Sequence, residues 1–199
     1  RGFNVTGRGA VNNVSLNFNW ELGLANALEK PLRRSRLAIS ETLSGEDFTA
    51  LGFEWAGNRL TGGVPMNIKF DGSITKPRAY HFNADLTQSA VSFKPLTHTK
   101  EAGVRARLSG RLNNAVEADA RALAFSYEEE GETPIVGRAD FNGASLSRIT
   151  IPVFDLGEME NVSFGLTEMG GYRQVSLRAT KFLINDPIAS AFGNSGVSD

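Results

Sequence analysis

Two stretches of alternating sequence decide the fold: Val64–Phe70 (VPMNIKF) and Tyr80–Leu86 (YHFNADL). In each, apolar residues take every second position and mostly polar residues lie between them. Because successive side chains of a β-strand point to opposite faces of its sheet, this alternation predicts two strands that share one apolar face. The connecting Asp71–Pro77 (DGSITKP) is rich in turn-forming residues, so we expect the two strands to form a hairpin.

The same alternation recurs along most of the chain and predicts an all-β fold of about ten strands, mostly antiparallel because the connections are short. The further strands are expected near residues 2–10, 14–20, 37–39, 91–93, 104–112, 115–127, 135–141, 149–153, 162–166 and 175–179. Turns are expected between them, including one at residues 95–103 and a solvated one at residues 128–134. The apolar positions change phase between Val116 and Tyr127, which predicts a β-bulge in that strand.

One or two short helices are expected among the strands. Ser44 is a suitable N-cap, and Glu46 and Asp47 after it place acidic residues in a first helical turn. Asp186-Pro187 predicts the capped start of a second helix near the end of the chain. Residues 21–30 (ELGLANALEK) fit either a short helix or an extended segment, and we interpret the arginines at 33, 34 and 36 as part of a solvated loop.

Composition is that of an ordinary folded domain, and 199 residues suit a single β domain. The net charge of −1 argues against broad attraction to nucleic acid or to anionic membrane surfaces. The chain has no cysteine, which excludes disulfides and thiolate metal sites, and no apolar run reaches the roughly 18 residues that span a bilayer. Because the chain opens directly on a strand-like pattern, we expect residues 1–199 to be one segment of a longer protein.

Motifs for catalysis and metal binding are weak. His81 lies on the polar face of a predicted strand and His98 in a predicted turn, neither at a metal-ligand spacing, so no metal or cofactor is expected. Ser73 and Lys76 match the Ser-x-x-Lys pattern of penicillin-recognising enzymes, but they lie in a predicted hairpin turn and the companion motifs are missing. A hydrolase is therefore the weakest hypothesis, and we expect no enzymatic activity.

The open question is what covers the apolar face. About 25 apolar side chains left in water would form a patch far larger than soluble monomers expose. Periodicity alone favours a second sheet packed over the first, as in a β-sandwich. Strands longer than the usual five or six residues favour instead an elongated, curved sheet whose trough holds acyl chains. Aromatic and basic residues lie on opposite faces, which argues against a stacking platform for nucleic acid.

Short motifs between residues 46 and 192 add a resemblance to a known family. They are EDFTALGF (46–53), LTGGV (60–64), ADLTQSA (84–90), KEAG (100–103), VSLRA (175–179) and Asn185-Asp186-Pro187. In these motifs the chain resembles the AsmA-like periplasmic proteins of Gram-negative bacteria, of the YhdP and TamB type. The most similar part is the uncharacterised domain that precedes their AsmA-like C-terminal region.

This resemblance implies a non-enzymatic groove segment, or β-taco, of a bridge-like protein that carries phospholipids between membranes and supports outer-membrane lipid homeostasis. Its implied partners are phospholipid acyl chains and neighbouring β segments of the same long chain. The implied location is the periplasm, with the full-length protein anchored in the inner membrane. The residues implied to line the groove are Val14, Leu16, Phe18, Trp20, Val64, Met66, Ile68, Phe70, Tyr80, Phe82, Leu86, Val104, Leu108, Val162, Phe164, Leu166, Val175 and Leu177. The alternative hypothesis is a β-sandwich structural or interaction module with a dry core.

Overall fold

The computed structural model describes residues 2–23, 35–53, 57–73, 76–93, 98–114, 120–142, 145–157 and 159–181. Within these ranges the chain forms fourteen strands and one helix, which confirms the predicted all-β class. The strands are β1 (Gly2–Val11), β2 (Val14–Gly23), β3 (Ser35–Leu43), β4 (Leu60–Thr61), β5 (Val64–Ser73), β6 (Lys76–Asp85), β7 (Ala90–Phe93), β8 (His98–Lys100), β9 (Ala106–Asn114), β10 (Ala120–Glu129), β11 (Ile135–Asn142), β12 (Ser145–Leu156), β13 (Met159–Met169) and β14 (Tyr172–Arg178). The helix, α1, is Gly45–Ala50.

Eleven strands form one open, curved antiparallel sheet, the main sheet, in the order β1-β2-β3-β5-β6-β9-β10-β11-β12-β13-β14. Strands that are neighbours in the sheet follow one another along the chain, except that β3 and β5, and β6 and β9, are separated by longer excursions. The strands β1 and β14 each pair on one side only, so both lateral edges of the main sheet are open among the described residues.

The described parts of the two excursions, residues 44–53 and 57–63 in the first and 86–93 and 98–105 in the second, meet over one end of the main sheet, and we call them the cap. Their strands β4, β7 and β8 pair as a small antiparallel sheet in which Leu60 lies opposite Val91. The Ser89 hydroxyl donates to the Gly63 carbonyl at 3.0 Å, which ties one excursion to the other. Leu60, Val91 and Phe48 pack against the buried core of the main sheet, so the cap closes this end against water.

The helix α1 forms as its sequence predicts. The Ser44 hydroxyl accepts from the Asp47 backbone N–H at 3.2 Å, and the Asp47 carboxylate accepts from the Ser44 backbone N–H at 2.8 Å. This reciprocal capping box satisfies two backbone donors that a helix start leaves without partners. The two bonds from Ser44, backbone first and hydroxyl second, hold the pKa of Asp47 below its ordinary value.

The predicted central hairpin is confirmed, since β5 and β6 pair antiparallel with Ile68 opposite Phe82. Its strands extend further than predicted, to Ser73 and from Lys76, with a register shift after Asp71. The turn expected at residues 95–103 is wrong in part, because residues 98–100 form β8.

Other expectations fall outside the described ranges. The proposed terminal helix, most of residues 21–30 and the first part of the predicted bulge lie there. From Arg121 to Glu129, β10 pairs with β9 without a break, and register shifts lie instead within the β5–β6, β11–β12 and β12–β13 pairs. Among the helices described, none is long and apolar enough to cross a bilayer.

Candidate functional site

The strand registers align the apolar positions of the main sheet into one continuous face. One row across this face takes a single apolar residue from every strand, and we call it the long row. Its members are Val5, Trp20, Leu37, Phe70, Tyr80, Leu112, Leu123, Ala139, Ile149, Leu166 and Val175. With neighbouring strands about 4.8 Å apart, the long row extends over about 48 Å. No polar residue interrupts it.

A second row, the aromatic row, lies beside the long row and combines phenylalanines with glycines. Its members are Gly7, Phe18, Ile39, Ile68, Phe82, Gly110, Phe125 and Gly137. A Cβ placed on Gly7 would lie 2.7 Å from the Phe18 ring, and a Cβ on Gly110 or Gly137 would collide with the ring on the neighbouring strand. Each of these three rings therefore lies flat over the backbone of a neighbouring strand, which keeps the surface shallow.

The two rows are only partly covered. Their large side chains on the inner strands, such as Ile68 and Leu123, are half-buried. At the lateral edges, Val5 is 44% exposed and Val175 45%. We call these two rows together the open rows.

The part of the same face that lies nearest the cap is sealed, and we call it the covered end. Its buried residues are Val14, Leu43, Val64, Ala84, Leu86, Ala106, Tyr127, Ile135, Phe154, Leu156, Met159 and Val162. Val64 and Val162 have no exposed surface at all. One sheet face therefore contains a dry core at one end and a half-exposed apolar surface along the rest.

The residues predicted to line a groove are divided between these two environments. Those half-buried on the apolar face are Leu16, Phe18, Trp20, Met66, Ile68, Phe70, Tyr80, Phe82, Leu108, Phe164 and Leu166. Val175 and Leu177 are exposed at the β14 edge. Val14, Val64, Leu86 and Val162 are buried in the covered end. Val104 is half-buried in the turn before β9, where its backbone N–H faces the Glu101 carbonyl at 3.4 Å.

The predicted groove list omitted several residues that the registers place in the open rows. Leu37, Leu112, Leu123 and Ile149 belong to the long row, and three glycines complete the aromatic row. Pairing each predicted strand with its successor in the chain would have found most of them, because most of the main sheet follows chain order. A glycine directly opposite a phenylalanine on the neighbouring strand would have indicated the aromatic row.

A buried lysine holds the second excursion of the cap together. Lys100 has no exposed surface, and its Nζ donates to the carbonyls of Leu86 at 2.5 Å, Ser89 at 2.7 Å and Thr87 at 3.3 Å. Burial lowers the pKa of Lys100, against the opposing attraction of Glu129. The lysine thus ties β8 to the loop that follows β6.

A second buried contact corrects two predictions. His98, expected in a turn, lies in β8, and its Nε2 is 3.0 Å from the Glu129 carboxylate. The same carboxylate accepts from the Tyr127 hydroxyl at 2.5 Å. The sequence predicts Glu129 in a solvated turn, and these two contacts show that this prediction is wrong for its side chain. Burial, followed by the bond to Glu129, raises the pKa of Tyr127 far above its ordinary range, which makes the phenol a hydrogen-bond donor and a poor acid.

The described residues hold little that suggests catalysis. No group of three or more potential metal ligands is found within the ranges that the structure describes. Ser73 and Lys76 are register partners at the end of the β5–β6 hairpin.

A cavity of about 1530 Å³ lies against the inner strands of the main sheet. Most of the residues around it are polar by register, among them Ser40, Asn67, Asn83 and Ser109. The cavity is also lined by Leu37, Phe70, Phe82 and Phe125 of the open rows. No family model, curated protein or solved structure matches this chain.

Proposed function

We propose that the chain is a non-enzymatic lipid-binding segment of a periplasmic, bridge-like protein that carries phospholipids between membranes. The single observation that supports this proposal most is the long row, an apolar residue on every one of eleven consecutive strands. Its length of about 48 Å exceeds the hydrocarbon thickness of one leaflet, about half of a 30 Å core. An acyl chain therefore has room to lie across several strands.

Exposure of the open rows supports an apolar occupant. Val5 and Val175 at the two ends of the long row, and Phe3 and Leu177 two residues away on the same strands, are between 39% and 63% exposed. An apolar surface that continues from edge to edge is larger than soluble monomers usually leave in water. Acyl chains along the open rows would remove this surface from water, with head groups at the wet margin.

The open lateral edges support the second implied partner, neighbouring β segments of the same long chain. Within the part of the chain that the structure describes, β1 and β14 each pair on one side only, and an added strand would pair with the other side. The long row ends on exposed apolar residues at both edges, so an added strand would extend the same surface.

The alternative, a structural or interaction module with a dry core, is supported by the covered end. There the cap and the main sheet enclose buried residues between two β layers, as in a small sandwich. The alternative requires protein to cover the open rows, whereas the lipid proposal requires hydrocarbon chains to cover them.

Two measurements test the proposal. Mass spectrometry of gently purified protein should find phospholipid, and a fluorescent fatty acid should bind saturably. Leu123→Asp places a carboxylate in the open rows and should abolish uptake, whereas the matched control Ala124→Asp, exposed on the polar face of the same strand, should leave it unchanged. Absence of lipid together with absence of uptake by the unaltered protein would favour the dry module.

A further inference from the structure

The strand β1, at one lateral edge of the main sheet, lacks the features by which edge strands avoid pairing with another chain. Gly2–Val11 contains no proline or lysine, and all ten of its residues pair with β2 without a register shift. Its apolar face is exposed, with Phe3 at 63% and Val11 at 51%. A long, regular edge with exposed apolar side chains is a template for a further strand.

The opposite edge, β14, differs in charge and in direction. It contains Arg173 and Arg178, and charged side chains on an edge disfavour pairing. Because the eleven strands of the main sheet alternate in direction, β1 and β14 run the same way, so copies joined head to tail would pair these edges as parallel strands. Two β1 strands related by a two-fold axis would instead pair antiparallel, as the strands of the main sheet do.

A pairing of phenylalanine with glycine recurs in the main sheet. The Phe18 ring lies over Gly7 on β1, and the two other rings of the aromatic row lie over glycines in the same way. Phe3 and Gly9 lie opposite leucines on β2 and are outside this pattern. Among the described residues beyond its chain neighbours, a Cβ placed on Gly9 would meet only the Phe18 ring, at an ordinary 4.0 Å. The apolar face over Gly9 therefore has space for a second ring.

A two-fold register centred on Thr6 brings these two residues together. With Thr6 opposite the same residue of a second copy, Phe3 of each copy lies opposite Gly9 of the other. Asn4 lies opposite Arg8, where its side-chain carbonyl can accept from the guanidinium. Threonine opposite threonine is itself a favourable cross-strand pair. Each pair except the central one occurs twice, as in any interface that uses the same surface of both copies.

The two neighbouring registers that keep each side chain on its own face fit less well. A shift that places Phe3 opposite Gly7 would bring its ring against the Phe18 ring, which already lies there. A shift in the other direction places Phe3 opposite Val11 and leaves the surface over Gly9 without a ring. The sequence of β1 therefore complements itself best in the register centred on Thr6.

We propose that β1 binds β1 of a second copy of this chain in this register, and we call the product the β1 dimer. Because the paired residues share a face, the two main sheets then continue as one antiparallel sheet with both sets of open rows on the same side. The β1 dimer goes beyond the lipid function proposed above. Its strand pairing needs no lipid, so either proposal can fail while the other stands.

Sedimentation velocity of the whole chain, without lipid and over a range of protein concentrations, tests the β1 dimer. A reversible dimer is expected, and Phe3→Ala should raise its dissociation constant about tenfold or more, because two rings leave the interface. Tyr172→Ala is the matched control and should leave the dissociation constant unchanged, since this aromatic residue on β14 is also 63% exposed. A monomer at every concentration would leave the β1 edge to another segment of the long chain and overturn the proposal. Equal weakening in both variants would also overturn it.

Thr6→Cys tests the register, because the chain has no cysteine of its own. Residues directly opposite each other on antiparallel strands have Cα atoms about 4.5–5.5 Å apart, which suits a disulfide. Mild oxidation should therefore link Thr6→Cys into a covalent dimer. Asn4→Cys is the matched control and should not be linked, because in this register its two copies lie about 14 Å apart. No cross-link in Thr6→Cys, or equal cross-linking in both variants, would contradict the proposal.

Packing of two apolar faces against each other is the other way in which copies could associate. Leu123→Asp lies on the inner strand β10 and should leave the β1 dimer intact, whereas it would disrupt a dimer joined through the open rows. The same variant is expected to lose fatty-acid uptake, so a dimer without uptake separates the two proposals. A dimer that is lost in Leu123→Asp and kept in Phe3→Ala would indicate face-to-face packing and overturn the β1 dimer.

Discussion

The covered end and the open rows lie on one face of one sheet and share one alternating sequence pattern, yet their surroundings differ. At the covered end, the cap removes Val64 and Val162 completely from water. In the open rows, Ile68 and Leu123 occupy equivalent inward positions and stay half-buried. The difference teaches that alternation determines which face is apolar, whereas the excursions between strands determine how much of it is sealed.

The largest contrast is expected from placing the same charge in each region. Val162→Asp buries an unpaired carboxylate and should cost about 4 kcal/mol or more, enough to unfold many domains. Ile68→Asp should cost about 1 kcal/mol, because the carboxylate stays in contact with water. Urea denaturation of the two variants measures both values. Equal losses in the free energy of unfolding would mean that the open rows are as well shielded from water as the covered end.

The next largest loss of stability is expected from a variant that loosens the cap and leaves the main sheet intact. Lys100→Met removes the Nζ donor from three carbonyls and should cost about 2 kcal/mol. The Leu86 and Thr87 carbonyls keep their bonds from the backbone N–H groups of Ser89 and Gly103. Hydrogen exchange should accelerate first in residues 86–105, while β12 and β13 stay protected. The exposed Lys69→Met is the matched control and should change stability by less than about 0.5 kcal/mol. Uniform loss of protection along the chain would contradict a separately attached cap.

A comparable or smaller effect is expected at the floor of the open rows. Gly110→Ala forces the Phe82 ring away from its place over the glycine, at a cost of about 1–3 kcal/mol. The displaced ring should project into the open rows and reduce fatty-acid uptake. Gly165→Ala is the matched control, because its new Cβ would meet only the Ser176 Cβ at an ordinary 3.8 Å. Unchanged uptake in Gly110→Ala would argue against the flat rings as a determinant of binding.

The smallest effect is expected at α1, outside both regions. Ser44→Ala removes the N-cap and should cost about 1 kcal/mol near neutral pH. The lowered pKa of Asp47 means that its ionised form stabilises the fold above its ordinary pKa of 3.8, and this contribution disappears as pH falls through the folded-state pKa. The difference in the free energy of unfolding between Ser44→Ala and the unaltered protein should therefore become smaller in acid. If the difference in stability stayed constant from pH 7 to strong acid, the ionisation of Asp47 would not contribute to it.

Local features of the fold could be predicted from the sequence, because they depend on neighbouring residues. The β5–β6 hairpin follows from period-two alternation, and α1 follows from Ser44 and Asp47. The strand β8 could not be predicted, since three residues carry no clear period and Lys100 is buried only by a distant loop.

Long-range features of the site had to come from the structure. The exposure predicted for Glu129 was wrong because its partners, His98 and Tyr127, come together only through strand pairing. The rows themselves depend on registers between β6 and β9, which the cap excursion separates in the chain.

The central claim is that hydrocarbon contacts the open rows and not the covered end. Methyl NMR spectra recorded with a spin-labelled stearic acid test it directly, because the label broadens only nearby signals. The account predicts broadening of Ile39, Ile68, Leu123 and Ile149, with Val64, Leu156 and Val162 unaffected. No broadening at any methyl, or equal broadening at both sets, would contradict it.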